Sequence, residues 1–285
     1  MNIKDISVVI LLFHTRENLI ENLKIYKDFK VLILDQSNDL KIQKKIKRFL
    51  PKVKYYSLSK ANLGFAKGIN FLSKKVKTKY FLCTQPDVKI NRTSIENLKK
   101  TFDKRKDCII SVPEIQNYKN YKRNKKKKIY SVKNIIGAIF LADKKKFIKI
   151  KMFDENFFFY WEDVDLSSRV EKSKYKIYIN HDSNAIHTST STKFNFQTFS
   201  IKKINFKFGE FLYQYKNNKL KYIKVLRQPI SLFVLIFFYL IIFNPKKALE
   251  KFFYLYGIIK FIITILIFRR SNRRSLKFSK KKVFS

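Results

Sequence analysis

The sequence predicts an α/β fold built on a mostly parallel central sheet, and three observations predict it. Apolar, β-branched-rich runs recur in the first third of the chain: ISVVILLF at 6–13, VLILD at 31–35 and KYFLCT at 79–84. They are continuously apolar rather than alternating, which suits strands covered on both faces. Segments with helical spacing lie between them, and alternation of strand and helix is the signature of a parallel sheet.

Taken in order, 6–13 is a buried strand rather than a signal peptide, because it follows Asp5 and lacks a basic start and a small-residue cleavage site. Residues 17–27 fit a helix with Leu19, Ile20, Leu23 and Tyr26 on one side. The second strand, 31–35, ends in Asp35. A basic helix near 40–50 stops at Pro51, and 53–58 reads as a third strand. A helix over 65–76 leads to the fourth strand, 79–84, with Asp87 just past its end. Parallel sheets bind ligands at the carboxyl ends of their strands, where Asp35 and Asp87 fall. Residues 116–128 are polar, very basic and aperiodic, which predicts a mobile loop; Gly137 opens a new apolar run, GAIFLA. After about residue 200 two longer apolar runs appear, followed by a basic tail, and no internal repeat is present.

The 285 residues carry 63 Lys and Arg against 21 Asp and Glu, a formal charge of +42. Such a charge fits nucleic acid, an anionic membrane or a polyanionic ligand. The abundance of Lys, Ile, Asn, Phe and Tyr together, all with A/T-rich codons, makes the lysine count a weaker signal than it looks. Two cysteines, Cys83 and Cys108, give neither a disulfide framework nor a CxxC metal spacing, as in a cytosolic chain with reduced thiols.

The acids are unevenly placed. Asp154, Glu155, Glu162, Asp163 and Asp165 fall within twelve residues, in FDENFFFYWEDVDLSSR at 153–169, where an even spread would put about one. A helix is expected to begin near Trp161 or Glu162, where acids favour a first turn by about 0.3–1 kcal/mol each. Asp165 and Arg169, four apart, are expected to pair. Capping does not account for the aromatic string Phe157–Trp161. A carboxylate against apolar rings has its pKa raised, as a general base requires, so the acids gather where a proton must be taken.

Other motifs carry two readings each. Gly64 and Gly68, in NLGFAKGIN at 62–70, share a helix face, for a ligand's close approach or for a tight helix–sheet contact. Asn62 can cap that helix, whose start would attract a phosphate. Asp87, in TQPDVKI, can hold Mg²⁺ or Mn²⁺ beside substrate phosphates, or simply form a turn. His181 and His187 follow in INHDSNAIHTSTST, and His187 resembles a residue emerging from a strand.

The ordered series VLILDQSND, NLGFAKGIN, QPDV, GAIFLADKKKF, FDENFFFYWEDVDLSSRV and AIHTSTS resembles the family 2 glycosyltransferases of GT-A fold, especially their rhamnosyltransferase-like branch of bacterial polysaccharide biosynthesis, over roughly 5–190. The resemblance implies that Asp35 contacts the base of a nucleotide-sugar donor and that Asn62, Gly64 and Gly68 shape the pocket near its diphosphate. It implies Asp87 as the last acid of the metal motif for Mg²⁺ or Mn²⁺, and His187 as a completing ligand of the metal or diphosphate site. Asp163 matches the proposed catalytic base, with Glu162 beside it. The chain departs from the family at Leu12-Phe13-His14, where Thr-Tyr-Asn is frequent, at Gln85, where a second Asp is frequent, and in the missing glycine after His187.

The expected activity is inverting transfer of a sugar, rhamnose by analogy, from a dTDP- or UDP-sugar to a lipid-linked or cell-surface glycan. The expected organisation is a catalytic domain over 1–200, a helical connector over 201–228, membrane-associated apolar helices over 229–268 and a basic tail over 269–285. The apolar stretches are Ile230 to Phe243, with 14 residues, and Phe252 to Phe268, with 17 and one charge, Lys260. A span needs about 20 residues, so the first is short and the second marginal. Buried core helices are one reading. A hairpin in the inner leaflet, or two helices lying in the interface, is the other, which places the chain on the cytoplasmic face of the inner membrane. The rival function is an inactive GT-A scaffold that binds RNA or anionic lipid through the lysines and aromatics of 118–130. The clustered acids argue against nucleic acid as a partner.

Overall fold

The computed structural model describes residues 3–58, 62–116, 128–188 and 195–274, with the backbone alone over 269–274. The loop expected over 116–128 and the basic tail therefore fall almost wholly outside the described residues and side chains.

Two compact units form. The first comprises Met1–Phe153 and Asp163–Lys193, and the second Asp154–Glu162 and Phe194–Ser285. The first is built on a sheet of strands β1 (Ile6–Leu12), β2 (Lys30–Asp35), β3 (Lys54–Ser57), β4 (Tyr80–Thr84), β5 (Val88–Ile90), β6 (Cys108–Ile115), β7 (Ile129–Val132), β8 (Phe140–Asp143) and β9 (Lys176–His187). Their spatial order is β3-β2-β1-β4-β8-β6-β9-β5, with β7 also paired to β9. The run β3-β2-β1-β4 is parallel, as expected. Beyond it the sheet is mixed, because β8 inserts antiparallel between β4 and β6.

Helices α1 (Leu40–Phe49), α2 (Gly64–Lys75), α3 (Arg92–Lys104), α4 (Lys144–Lys149) and α5 (Glu162–Glu171) accompany the strands. Asp39 caps α1 by accepting from the N–H groups of Lys41 and Ile42. The segment expected as a helix over 17–27 is instead a 3₁₀ helix, Glu17–Tyr26. Its buried residues, Ile20, Leu23 and Tyr26, are three apart, the repeat of a three-residue turn, while Leu19 is only half-buried.

The second unit packs α6 (Phe196–Lys216), α7 (Tyr222–Ile241) and α8 (Pro245–Arg274) around Phe157, Phe208, Phe211, Leu212, Leu232, Ile258, Phe261 and Ile265. Phe157 belongs to the aromatic string, and Trp161 stacks near Tyr213 with ring centroids 5.6 Å apart. Two members of the string thus have a task the sequence reading missed: Phe157 sits in the core of the helical unit and Trp161 packs against it. The turn between α7 and α8 falls at Ile242–Asn244, at the joint expected from Asn244-Pro245.

Candidate active site at the carboxyl edge of the sheet

The ends of β1 and β2 are knotted by Asp35. Its Oδ1 accepts from the Ser37 N–H at 2.9 Å and the Ser37 hydroxyl at 2.6 Å, and its Oδ2 accepts from the Asp39 N–H at 2.8 Å and the Tyr55 hydroxyl at 3.0 Å. The Ser37 hydroxyl accepts in turn from the His14 N–H at 3.2 Å. Burial and the neighbouring Asp35 charge push the Tyr55 phenol far above its usual range, so Tyr55 remains a donor. Asp35 therefore organises the loop after β2 through both of its oxygens.

Gln36, which sequence reading passed over, ties that loop to the start of α2. Its Oε1 accepts from the Leu63 N–H at 2.7 Å. Asn62 Oδ1 accepts from the Gly64 N–H at 2.9 Å, although the cap position itself belongs to Leu63. Gly64 has φ 76°, a left-handed conformation that favours glycine. Gly68 lies over β1, where a Cβ would come within 2.8 Å of Leu11 Cδ2, so α2 and the strand meet in a tight helix–sheet contact.

Asp87 follows the turn that ends β4, and the β5–β9 register pairs its neighbour Val88 with His187. Asp87 is buried, and its Oδ2 lies 3.4 Å from His187 Nε2. The Asp87 carbonyl accepts from the Thr188 N–H at 3.1 Å, which closes the strand pair around both side chains. A hard carboxylate oxygen beside an imidazole nitrogen is a donor set that suits a divalent ion, with the nitrogen favouring Mn²⁺ over Mg²⁺. Among the described residues no group of three or more His, Cys, Asp or Glu is placed to hold a metal. An ion here would depend on ligands brought by a substrate. His181 stands apart, in the middle of β9, with Nδ1 2.8 Å from Glu114 and Nε2 3.1 Å from the Tyr130 hydroxyl.

Asp163 reaches the same edge. Cys83 pairs with Phe140 across the antiparallel β4–β8 contact, so Gly137 lies beyond the carboxyl end of β4. The Gly137 N–H donates to Asp163 Oδ2 at 3.3 Å, and the Val164 N–H donates to Oδ1 at 2.8 Å. Burial raises the Asp163 pKa from its ordinary value, against these hydrogen bonds, which lower it. Glu162, buried, opens α5 as the sequence predicted.

The approach to α5 is held under backbone strain. Tyr160 and Trp161 have φ 70° and 73°, a region that costs bulky residues about 1–3 kcal/mol each. Gly209 of α6 makes room for this turn: a Cβ there would lie 2.9 Å from Trp161 Cδ1 and 3.1 Å from the Tyr160 carbonyl. Arg169 pairs with Asp165 at 2.9 Å, as expected, and also donates to the carbonyls of Ile150 and Met152. Asn70 brackets Phe153, donating to its carbonyl at 2.9 Å and accepting from its N–H at 3.1 Å. Apart from the Asp165–Arg169 pair, these supports left no mark in the sequence, since their partners lie 17 to 83 residues away.

Comparison with known proteins agrees with this architecture. TarS of S. aureus, residues 1–349, superposes with a TM-score of 0.51 at 15% identity, covering 90% of this chain and 91% of that one. The mannosyltransferase PcManGT from Pyrobaculum calidifontis, in complex with GDP-Man and Mn²⁺, gives 0.57 at 10% identity over 76% of this chain and 65% of its own. GalNAc-T7 with UDP, GalNAc and Mn²⁺ gives 0.53 at 14% identity over 64% of this chain, which spans only 42% of that protein. No curated protein matches the sequence. The fold is the GT-A fold. Residues 7–166, more than half of the chain, match the model of Glycosyl transferase family 2, and the chain belongs to that family.

Proposed function

We propose that the chain is an inverting glycosyltransferase in which Asp163 is the general base. The observation that carries this reading is a carboxyl with a burial-raised pKa, fixed by the Gly137 and Val164 N–H groups, on the sheet edge that also bears the Asp87–His187 pair. A base with a raised pKa binds its proton more firmly once taken. Asp163 accepts the proton of an acceptor hydroxyl, the oxygen bonds to the anomeric carbon in line, and the nucleoside diphosphate departs with the bonding pair. Glu162, beside it, is the reserve acid of the same turn.

A divalent ion held by Asp87 and His187 and completed by the donor diphosphate supplies, when bound, neutralising charge for the leaving group. Mn²⁺ in the two mannosyl and GalNAc transferase structures is consistent with this role. Asp35 shapes the loop that faces the donor base. Asn62, Gly64 and Gly68 set α2 close to the sheet, with its N-terminus toward the diphosphate. The donor we propose is a UDP- or dTDP-sugar, rhamnose included. The acceptor is a lipid-linked or surface glycan, reached at the cytoplasmic face of the inner membrane by the apolar helices that follow the catalytic segment. The rival RNA-binding reading rests on 118–130, of which only 128–130 lie in the described residues, and no observation favours it.

A thermal-shift panel of nucleotide sugars with Mn²⁺ tests the proposal. A true donor at 100 times its Kd raises stability by about 2.7 kcal/mol. A panel in which no nucleotide sugar shifts the midpoint contradicts it.

A further inference from the structure

Helices α7 and α8 are each long and apolar enough to cross a membrane, by length and composition. Their surroundings within the helical unit argue for a different placement. Along α7 the exposed side chains Leu226, Ile230, Phe233, Phe237 and Ile241 recur every three or four residues. Along α8 Phe252, Tyr256, Ile259, Ile263 and Leu266 do the same. Each series forms one continuous apolar stripe. The turn between the helices adds Phe243, which is 92% exposed.

The opposite face of α8 packs into the interior of the helical unit. It includes Ala248, Phe253, Ile258, Phe261 and Ile265, all buried. There α8 runs beside α6 in the same direction, as the pairs Lys203–Glu250, at 2.8 Å, and Phe211–Phe261, with centroids 5.6 Å apart, require. The two backbones approach so closely that a Cβ on Gly257 would collide with the Ile204 carbonyl. Alongside the apolar half of α8, α6 carries Lys207 paired with Glu210 at 2.7 Å, and Lys216 paired with Asp154. Lys260 lies within that half, 5.0 Å from the centre of the Phe208 ring. A crossing α8 would drag these ions into hydrocarbon, where each charge costs several kcal/mol.

Charge also sits at both ends of α7. Lys221 and Arg227 are exposed at its start, and Lys246 and Lys247 just past its end. A crossing hairpin would carry Lys246 and Lys247 to the far side, against the tendency of basic residues to stay on the cytoplasmic side. With the helices lying flat, all four reach the anionic headgroups of one leaflet. A second copy of the chain is a poor occupant of this face, because each copy has a formal charge of +42.

We propose that α7 and α8 form a one-sided membrane-docking face, which lies in the plane of a single anionic leaflet and crosses it nowhere. This deepens the membrane placement in the proposed function and is independent of the chemistry at Asp163.

The test uses the full chain. Mixed with vesicles, the protein should sediment with phosphatidylcholine containing phosphatidylglycerol at least about tenfold more tightly than with phosphatidylcholine alone, and Phe237→Glu with Ile241→Glu should cost at least about tenfold in affinity. In spheroplasts of a bacterial host, Lys246→Cys should escape a membrane-impermeant maleimide until lysis; Cys83 and Cys108 are buried and should stay silent. Labelling of Lys246→Cys in intact spheroplasts would establish crossing and overturn the flat geometry while leaving membrane attachment standing. Failure to bind either vesicle, with a concentration-dependent dimer in its place, would assign the face to a second copy and overturn both. Nucleotide-sugar binding, measured separately, is unaffected by either failure.

Discussion

Asp87 and His187 face each other across the β5–β9 strand pair, with 3.4 Å between Oδ2 and Nε2. The register explains why: Val88 pairs with His187, so a turn residue and the last residue of a twelve-residue strand converge although they are 100 positions apart in sequence. Asp87→Ala should abolish the dependence of nucleotide binding on divalent ions, and His187→Ala should weaken it less. Calorimetric titration of UDP and dTDP with Mn²⁺, repeated with chelator, reads this directly. Equal affinities in all conditions would remove the ion from the account.

The raised pKa of Asp163 makes a prediction about pH. Its base form appears at higher pH than that of an ordinary aspartate, so kcat/KM should rise with pH along a limb displaced to higher pH. Thermodynamic linkage has a matching sign: a carboxyl whose folded pKa lies above its unfolded one contributes stability at low pH that is lost as pH rises through the folded value. A pH–rate profile whose acid limb sits at an ordinary aspartate value would contradict the burial argument.

Arg169→Ala should destabilise the first unit by about 3–5 kcal/mol, because the Asp165 side chain is only 3% exposed and would lose the partner that compensates its burial. The carbonyls of Ile150 and Met152 would lose a donor as well. Urea denaturation measures the loss; a change below about 1 kcal/mol would mean that the pair behaves like a surface salt bridge.

Gly257→Ala should destabilise the helical unit by about 1–3 kcal/mol through overpacking against the Ile204 carbonyl. Helix propensity alone favours Ala over Gly by up to about 1 kcal/mol, so the sign of the change separates the two effects. A stabilised variant, by thermal melting, would show that α6 and α8 do not meet at this point.

Much of this was legible in the sequence. The parallel strands β1, β2 and β4 announce themselves because burial on both faces leaves unbroken apolar runs. The start of α5 at Glu162 and the Asp165–Arg169 pair follow from local rules that need no tertiary knowledge. β9 hides because its interior reads Asn180-His181-Asp182-Ser183-Asn184, and the partners that make such a strand tolerable are remote. Asn180 Nδ2 donates to the Asn97 carbonyl at 2.7 Å and to Thr101 Oγ1 at 3.1 Å, both on α3. The packing partners of the aromatic string are hidden for the same reason: Phe208, Phe211 and Phe261, which cluster with Phe157, lie about 50 to 100 residues downstream. Gly209 and the strained Tyr160–Trp161 turn were invisible, since a backbone conformation leaves no signature in composition.

The most direct test of the account compares release of nucleoside diphosphate from a nucleotide-sugar donor by the wild-type chain and by Asp163→Asn, with Mn²⁺ and membranes bearing lipid-linked acceptor, alongside donor affinity for both. Asp163→Asn should lower turnover by about 10²–10⁴-fold while donor affinity stays nearly constant. Turnover close to wild type in a variant that still binds donor would contradict Asp163 as the base.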